Sequence, residues 1–384
     1  MKAKSIKGKS PEEIKTALQQ SLADGYKPTL AFVFISIKQD RDTICGILDV
    51  EGIRVFGATT GGEFIDGDIG SGSIAILLLD INPLHFKILL ENIDNKDPAT
   101  IARSMTQIAV EQFKNPAFIL SYGVKVETGL EIGESVVRGI EDVAGSNVSI
   151  WGGVAGDDFV FKKSLVFTNQ KTYNQAILML VLDADKITVK GQAASGWKAV
   201  GTEKTMTKTV DNWLHTIDGQ PAADMVLKYM GLSLTKEQAE TFNPGITVFS
   251  IQRDEGEPVM RSSGVFNWED RSIAITGNIK EGDRMRLTLP PDFEMIETVS
   301  NDAEHIRQTE MPDADALIMF SCIGRLHEFG PMISDEINGV KKAFDVPMAG
   351  FFSYGEFGRA TNGNNEFHNL TCCWVALKEK ESGY

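Results

Sequence analysis

Three times along this chain an apolar strand runs into a glycine-containing turn that closes on an acidic residue. The copies read FGATTGGEF (56–64), WGGVAGDDF (151–159) and GFFSYGEFG (350–358). After each turn and a polar stretch comes another apolar strand: SIAILLL from Ser73, QAILMLV from Gln175 and TCCWVAL from Thr371. Repetition on this scale means an architecture multiplied from one supersecondary unit. Glycine ahead of a buried acid lets the backbone turn tightly and approach another group closely, which a Cβ prevents. The acids Glu63, Asp157 and Glu356 can accept hydrogen bonds from nearby backbone N–H groups, as structural turn residues do, or can grip a cationic ligand group.

The second and third copies share a longer pattern. AFILSYG (117–123) reads as a strand, followed by a polar loop, a helix through Glu134, Val137 and Ile140, and strand VSIWGG entering the turn. ALIMFSC (316–322) opens the same series, with a helix through Ile333, Ile337 and Val340 and then strand VPMAGFF. Strand–helix–strand order favours parallel pairing, and the strands after the turns read as antiparallel hairpins. The expected class is α/β: mixed sheets flanked by helices, built on a repeated strand–helix–strand–acidic turn–strand unit. At the N-terminus Ser10 caps a helix with Pro11 in its first turn, Glu13 completes a capping box, and Ile14, Leu18 and Leu22 share one face. A second helix starts near Asp97-Pro98 and carries Ile101, Met105 and Ile108.

A chain of 384 residues exceeds what one core supports, so two domains are expected, 1–205 and 206–384. Past the boundary GITVFSIQ, GVFNW, SIAITG and DRMRLTL read as a strand meander punctuated by DEGE (254–257) and EGD turns, before a helix over 291–308. A net charge of −15 with no basic stripe argues against nucleic acid or an anionic membrane as partner. The charged N-terminus lacks the apolar core of a signal peptide, and the longest apolar runs fall far short of the roughly 20 residues of a membrane helix. A cytoplasmic protein is expected. Cys45, Cys322, Cys372 and Cys373 form no CxxC pair, which fits a reducing compartment; adjacent Cys372 and Cys373 point to opposite faces of a strand and suit packing.

GATTGGEF and WGGVAGDD, followed in order by DGQPAADM, IKEGDRMRL, SCIGR, GFFSYGEFG and FHNLT, resemble the FIST family and its separate N- and C-terminal domains. The resemblance runs over nearly the whole chain, about 30–377. It implies a non-enzymatic sensory protein that binds a small ligand such as an amino acid. It also implies a stand-alone subgroup that carries haem, senses nitric oxide and signals to a partner histidine kinase. No kinase, cyclase or methyl-accepting segment is visible, so output is expected through a partner.

The candidate site residues follow from each chemistry. Haem iron most often takes an imidazole. His327, in SCIGRLHEFG, is placed where a strand end opens into a loop, with apolar Leu326 and Phe329 beside it, and is the axial candidate; Cys322 is the lesser one. His368, in FHNLT, reads as a turn or packing residue with a smaller claim as a ligand, while His85, His215 and His305 read as structural or solvated. An amino-acid ligand needs a carboxylate for its ammonium, from Glu63, Asp157 or Glu356. It needs a bidentate donor for its carboxylate, from Arg325, with Tyr354 and Phe352 as walls. Arg325 could instead pin its loop to Glu356. A hydrolase built on Cys322, His327 and Glu356 is the remaining alternative, and only geometry decides it.

Overall fold

The structure, a computed structural model, describes residues 1–125, 132–235, 237–238, 247–253, 258–361 and 363–380. Within it the repeat is larger than the sequence pattern. The first unit runs β1 (Ala3–Gly8), α1 (Pro11–Leu22), β2 (Leu30–Ile35), α2 (Arg41–Val50), β3 (Arg54–Thr59), the acidic turn, a short hairpin β4 (Glu63–Ile65) and β5 (Asp68–Gly70), and β6 (Ile74–Leu79). The second repeats it as β7 (Phe86–Asn92), α3 (Pro98–Gln112), β8 (Pro116–Gly123), α4 (Gly133–Ala144), β9 (Ile150–Gly153), hairpin β10 (Val166–Phe167) and β11 (Thr172–Tyr173), and β12 (Ala176–Asp183). The third opens with β13 (Ile187–Ala194) and is then interrupted by a predominantly β segment.

That segment comprises β14 (Lys198–Val210), β15 (Trp213–Ile217), β16 (Gln220–Pro221), α5 (Ala222–Tyr229), β17 (Val248–Ile251), β18 (Val259–Asn267), β19 (Ser272–Ile275) and β20 (Arg284–Leu289). The third unit then resumes with α6 (Glu294–Thr309), β21 (Ala316–Cys322), α7 (Ile323–Phe329), α8 (Ile333–Phe344), β22 (Met348–Ser353), hairpin β23 (Glu356–Arg359) and β24 (Asn365–His368), and β25 (Cys372–Glu379).

The expected hairpins after the turns are antiparallel, but each one pairs with a different unit. The three sheets read β1-β6-β2-β3-β10-β11, β7-β12-β8-β9-β23-β24 and β13-β25-β21-β22-β4-β5. The second unit lends its hairpin to the first sheet, the third to the second, and the first to the third. Each central pair, β2 with β3, β8 with β9 and β21 with β22, is parallel. The connectivity is therefore threefold and closed, and the strands of the third sheet come from both halves of the chain.

Both faces of these sheets are buried, so their strands are continuous apolar runs rather than alternating ones. In β2, Ala31, Val33 and Ile35 pack under the helices while Leu30, Phe32 and Phe34 face a core shared by all three sheets. There Phe34, Phe320 and Phe351 form a triangle of rings, with centroids 4.8 Å apart for Phe34 and Phe351 and 5.5 Å for Phe320 and Phe351. Cys372 and Cys373 are buried on opposite faces of β25, in two separate clusters. In α3, Ala102, Met105 and Ala109 are buried while Ile108 is exposed.

The interrupting strands are more than a meander. β15 returns to pair with β14, so β14-β20-β17-β18-β19-β15 closes into a six-stranded barrel. Closure removes the open edges that a meander would expose. Ala222, Ala223 and Val226 of α5 pack with Phe249, Ile251 and Met285 in its core. Residue 205, at the expected domain seam, lies inside β14. The DEGE turn lies outside the described residues.

The three acidic turns meet at one hub, joined pairwise by main-chain hydrogen bonds. Gly61 N–H donates to Phe352 O (2.9 Å) and Phe352 N–H to Gly62 O (2.8 Å). Val154 N–H donates to Gly355 O (2.8 Å) and Tyr354 N–H to Val154 O (3.1 Å). Gly156 N–H donates to Thr59 O (2.8 Å) and Asp158 N–H to Thr60 O (2.9 Å). Such contact requires missing side chains: a Cβ on Gly156 would stand 2.5 Å from Gly61 N and 2.7 Å from Thr60 C. Gly156→Ala is therefore expected to lower the unfolding free energy by about 1–3 kcal/mol in urea titration. Gly46→Ala, in α2 with nothing near its Cβ, is expected to raise it by about 0.5–1 kcal/mol. Equal effects would contradict backbone contact at the hub.

Candidate functional site

The hub acids are bound by the turns that carry them. Glu63 accepts from Thr60 Oγ1 (2.8 Å), from Ser73 N–H (2.6 Å) and from the Ser73 hydroxyl, tying its turn to the start of β6. Glu356 repeats this with Ser353 Oγ (2.7 Å) and Thr371 N–H (3.2 Å), just before β25. Asp157, whose turn has Val154 in place of the hydroxyl residue, accepts instead from the N–H groups of Phe161 (2.8 Å), Lys162 (2.7 Å) and Lys163 (3.0 Å). A hydroxyl is supplied across the hub by Tyr354, which donates to Asp157 at 2.5 Å while accepting from Asp157 N–H and Phe159 N–H. All three carboxyls are at most 2% exposed. Burial raises the Glu63 carboxyl and pushes Glu356 up to about 8; burial, then the bond to Asp157, keeps the Tyr354 phenol protonated. Among the described residues no group of three or more His, Cys, Asp and Glu could hold a metal ion.

Arg325 is fully buried in α7, and its ion pair is with Glu336 of α8, not Glu356: Nε lies 3.2 Å from Oε1, and a second guanidinium N–H binds Oε2. The remaining donors reach Ser195 O (2.6 Å) and Leu370 O (3.2 Å). This fork fixes α7, α8 and two loops to one another.

His327 lies in α7 rather than in a loop and is exposed, because the helix buries Arg325 and Phe329 and turns the intervening imidazole outward. Cys322 is buried with Trp197, Val248, Met260 and Leu370, and its thiol is raised well above the ordinary range by burial and by neighbouring Glu356. His368 is buried too; its Nε2 has no partner, and burial with the nearby Arg261 charge lowers it to about 3. Haem iron needs a deprotonated or neutral ligand inside an apolar crevice. His327 faces solvent, with Leu326 lining the cleft beside it, and Cys322 keeps its proton, so neither axial candidate fits haem. Nor do Cys322, His327 and Glu356 form a triad, since the thiol meets the acid while the imidazole stands apart.

The hub does open a cleft, of about 540 Å³, at the carboxyl ends of β2 and β3, where parallel sheets place ligands. Its walls come from all three units: Lys38, Gly61 and Gly62 from the first, Asp158 and Phe159 from the second, Leu326 and Phe352 from the third. Asp158 Oδ2 accepts from Ser36 Oγ at 2.7 Å and lies 3.3 Å from Lys38 Nζ. The loop that brings it there is strained: Asp158, Phe159 and Phe161 have φ of 55°, 65° and 53°. Asp157 and Tyr354 hold this loop, with Phe161 stacked on the Tyr354 ring at 4.7 Å. The sequence pattern points to Asp157, and only the doubled acid ahead of FVF signals Asp158.

Residues 29–220 match the FIST N domain and residues 222–359 the FIST C domain. The chain belongs to the FIST family. Domains of the FIST family are sensory, signal-transducing modules that bind small ligands. No curated protein matches the chain. Among the described residues of this FIST chain no helix is long and apolar enough to cross a membrane.

Two buried groups set opposing pH dependences. Folded Glu356 keeps its proton to about pH 8, whereas in the unfolded chain it ionises near 4.3. The folded state binds more protons across that window, so this contribution is complete below about pH 4.3 and is lost as pH rises through 8. His368 stays neutral in the fold down to about 3 but charges below about 6.5 when unfolded, so its contribution is complete above 6.5 and lost as pH falls through 3. The slopes offset each other between about 4.3 and 6.5, and the Glu356 decline emerges from about 6.5 to 8. Thermal midpoints are expected to fall over that range less steeply in Glu356→Gln than in the wild type; identical slopes would contradict a protonated Glu356.

Proposed function

We propose that this FIST-family chain senses a small zwitterionic ligand, of the amino-acid class, in the hub cleft. The reading rests on one observation: a single cleft walled by all three units sets a carboxylate and an ammonium beside an apolar surface. An incoming ammonium group finds the Asp158 carboxylate, whose Oδ2 is already oriented by Ser36 and Lys38. A ligand carboxylate finds the largely exposed Lys38 ammonium, and the ligand side chain meets Phe159, Leu326 and Phe352. Glu63, Asp157, Glu356 and Arg325 serve this reading indirectly, by fixing the turns and helix that shape the cleft.

Signalling needs only a ligand that favours one state by a few kcal/mol. The three left-handed residues of the 158–161 loop each cost on the order of 1–3 kcal/mol, so a ligand against Asp158 and Phe159 acts on an element of comparable energy. The output passes to a partner, and a histidine kinase is the class that the family resemblance implies. Haem-based sensing of nitric oxide through His327 is disfavoured by the outward imidazole.

Calorimetric titration of the whole chain with individual amino acids is expected to give saturable one-site binding. Asp158→Asn is expected to weaken it about 10- to 100-fold, the effect of losing a charged hydrogen bond of about 1.5–3 kcal/mol. Absence of heat with every amino acid, or an unchanged affinity in the variant, contradicts the proposal.

A further inference from the structure

Around the Asp158–Lys38 pair, the accessible apolar surface of the hub cleft comes from one residue of each unit: Ile69, Phe159 and Leu326. Ile69 and Leu326 are half-buried, whereas Phe159 is 47% exposed. Among the described residues, Lys38 and Asp158 are the charged walls, and they already answer the two charges of a zwitterion. A third charge on the ligand, as in glutamate or lysine, finds no partner there. At about 540 Å³ the cleft also has far more room than glycine or alanine fills.

Phe159 contributes little to the fold that carries it. Among the described residues it belongs to none of the buried apolar clusters. Its φ of 65° lies in the left-handed region, which a bulky aromatic adopts only under strain. The strain is imposed by its surroundings: its N–H donates to Tyr354 Oη at 3.1 Å, and Asp157 holds the loop through the Phe161 N–H at 2.8 Å. The result is a firmly placed ring that lines the cleft and is almost half open.

That ring also ends a series. Phe159 meets Phe161 edge-on, with centroids 6.1 Å apart, and Phe161 stacks on Tyr354 at 4.7 Å. Three rings thus run from the hub out to the cleft, and Phe159 is the last of them. A ring on the ligand would extend the series in the edge-on or offset geometry that aromatic pairs prefer.

We infer that the hub ligand is an aromatic amino acid and that Phe159 is the residue that selects it. The inference rests on the zwitterion reading above and adds the side-chain class. The ligand ring lies against Phe159 and covers Ile69 and Leu326, so each unit contributes one apolar contact. Tyr354 anchors the far end of the series by donating to Asp157, which connects the ligand ring to the second and third turns.

Calorimetric titration of the whole chain with phenylalanine, leucine, alanine and glutamate tests this. Phenylalanine is expected to bind about two- to tenfold more tightly than leucine and about 10- to 100-fold more tightly than alanine, with glutamate no tighter than alanine. Asparagine tolerates left-handed backbone, so Phe159→Asn is expected to keep or raise the thermal midpoint while shrinking the phenylalanine-to-alanine ratio to a few-fold. Phe159→Tyr, which keeps a ring, is expected to retain the ratio. Equal affinities for phenylalanine, leucine and alanine, tightest binding of glutamate, or a ratio unmoved in Phe159→Asn overturns the inference and leaves the amino-acid reading standing. A chain that binds no amino acid at all overturns that reading, and this inference with it.

Discussion

Six main-chain hydrogen bonds among three glycine turns hold this molecule together as a ring. Two bonds join each pair of turns, so no turn can move without breaking contact with both others. The close approach they need explains the glycines, and keeping the turn polypeptide satisfied in a dry interior explains the acids. Glu63 and Glu356 each bond a hydroxyl three residues upstream and the backbone at the head of the closing strand. Asp157 lacks that hydroxyl in its own turn and receives one from Tyr354 of another. The cross-hub phenol thus substitutes for a local Ser or Thr, and it ties the second turn to the third.

The hairpin exchange follows from the same geometry. A turn that crosses the hub delivers its hairpin to a neighbouring sheet, where it covers an edge that would otherwise be open to pairing with other chains. The barrel is fastened to this ring by charge and by apolar contact. Arg261 and Arg253 reach Glu134 of α4, Arg253 reaches Glu366 of β24, and Trp197, Val248 and Met260 pack on Cys322 and Leu370. Buried ionic groups of this kind specify an arrangement more than they stabilise it, and removing one partner alone is costly. A joint so specified, in a molecule with a cleft walled by all three units, suits a protein that must report on a ligand.

Much of the fold is legible in the sequence because local rules act alone there. The helix starts at Ser10 and Asp97, the parallel pairs and the antiparallel hairpins all follow from capping, periodicity and connection length. The strand that receives each hairpin is not legible, since an exchanged and an unexchanged hairpin have the same local pattern. The same limit applies to Arg325: Glu336 is its partner because α8 buries one face against α7, a tertiary fact that proximity to the third acidic turn does not encode. His327 reads as a loop residue because SCIGRLHEFG carries two glycines, yet packing of Arg325 and Phe329 makes it a helix with an outward imidazole.

If the ring is one interlocked body, its three sheets must open together. Native-state hydrogen exchange, followed by mass spectrometry through low urea, measures this directly in β2, β8 and β21 and at the hub amides of Gly61, Gly156 and Tyr354. A single opening free energy with one urea dependence for all of them is the predicted result. One unit exchanging at a distinctly lower free energy, with its hub amides released while the other two stay protected, would contradict the interlocked ring.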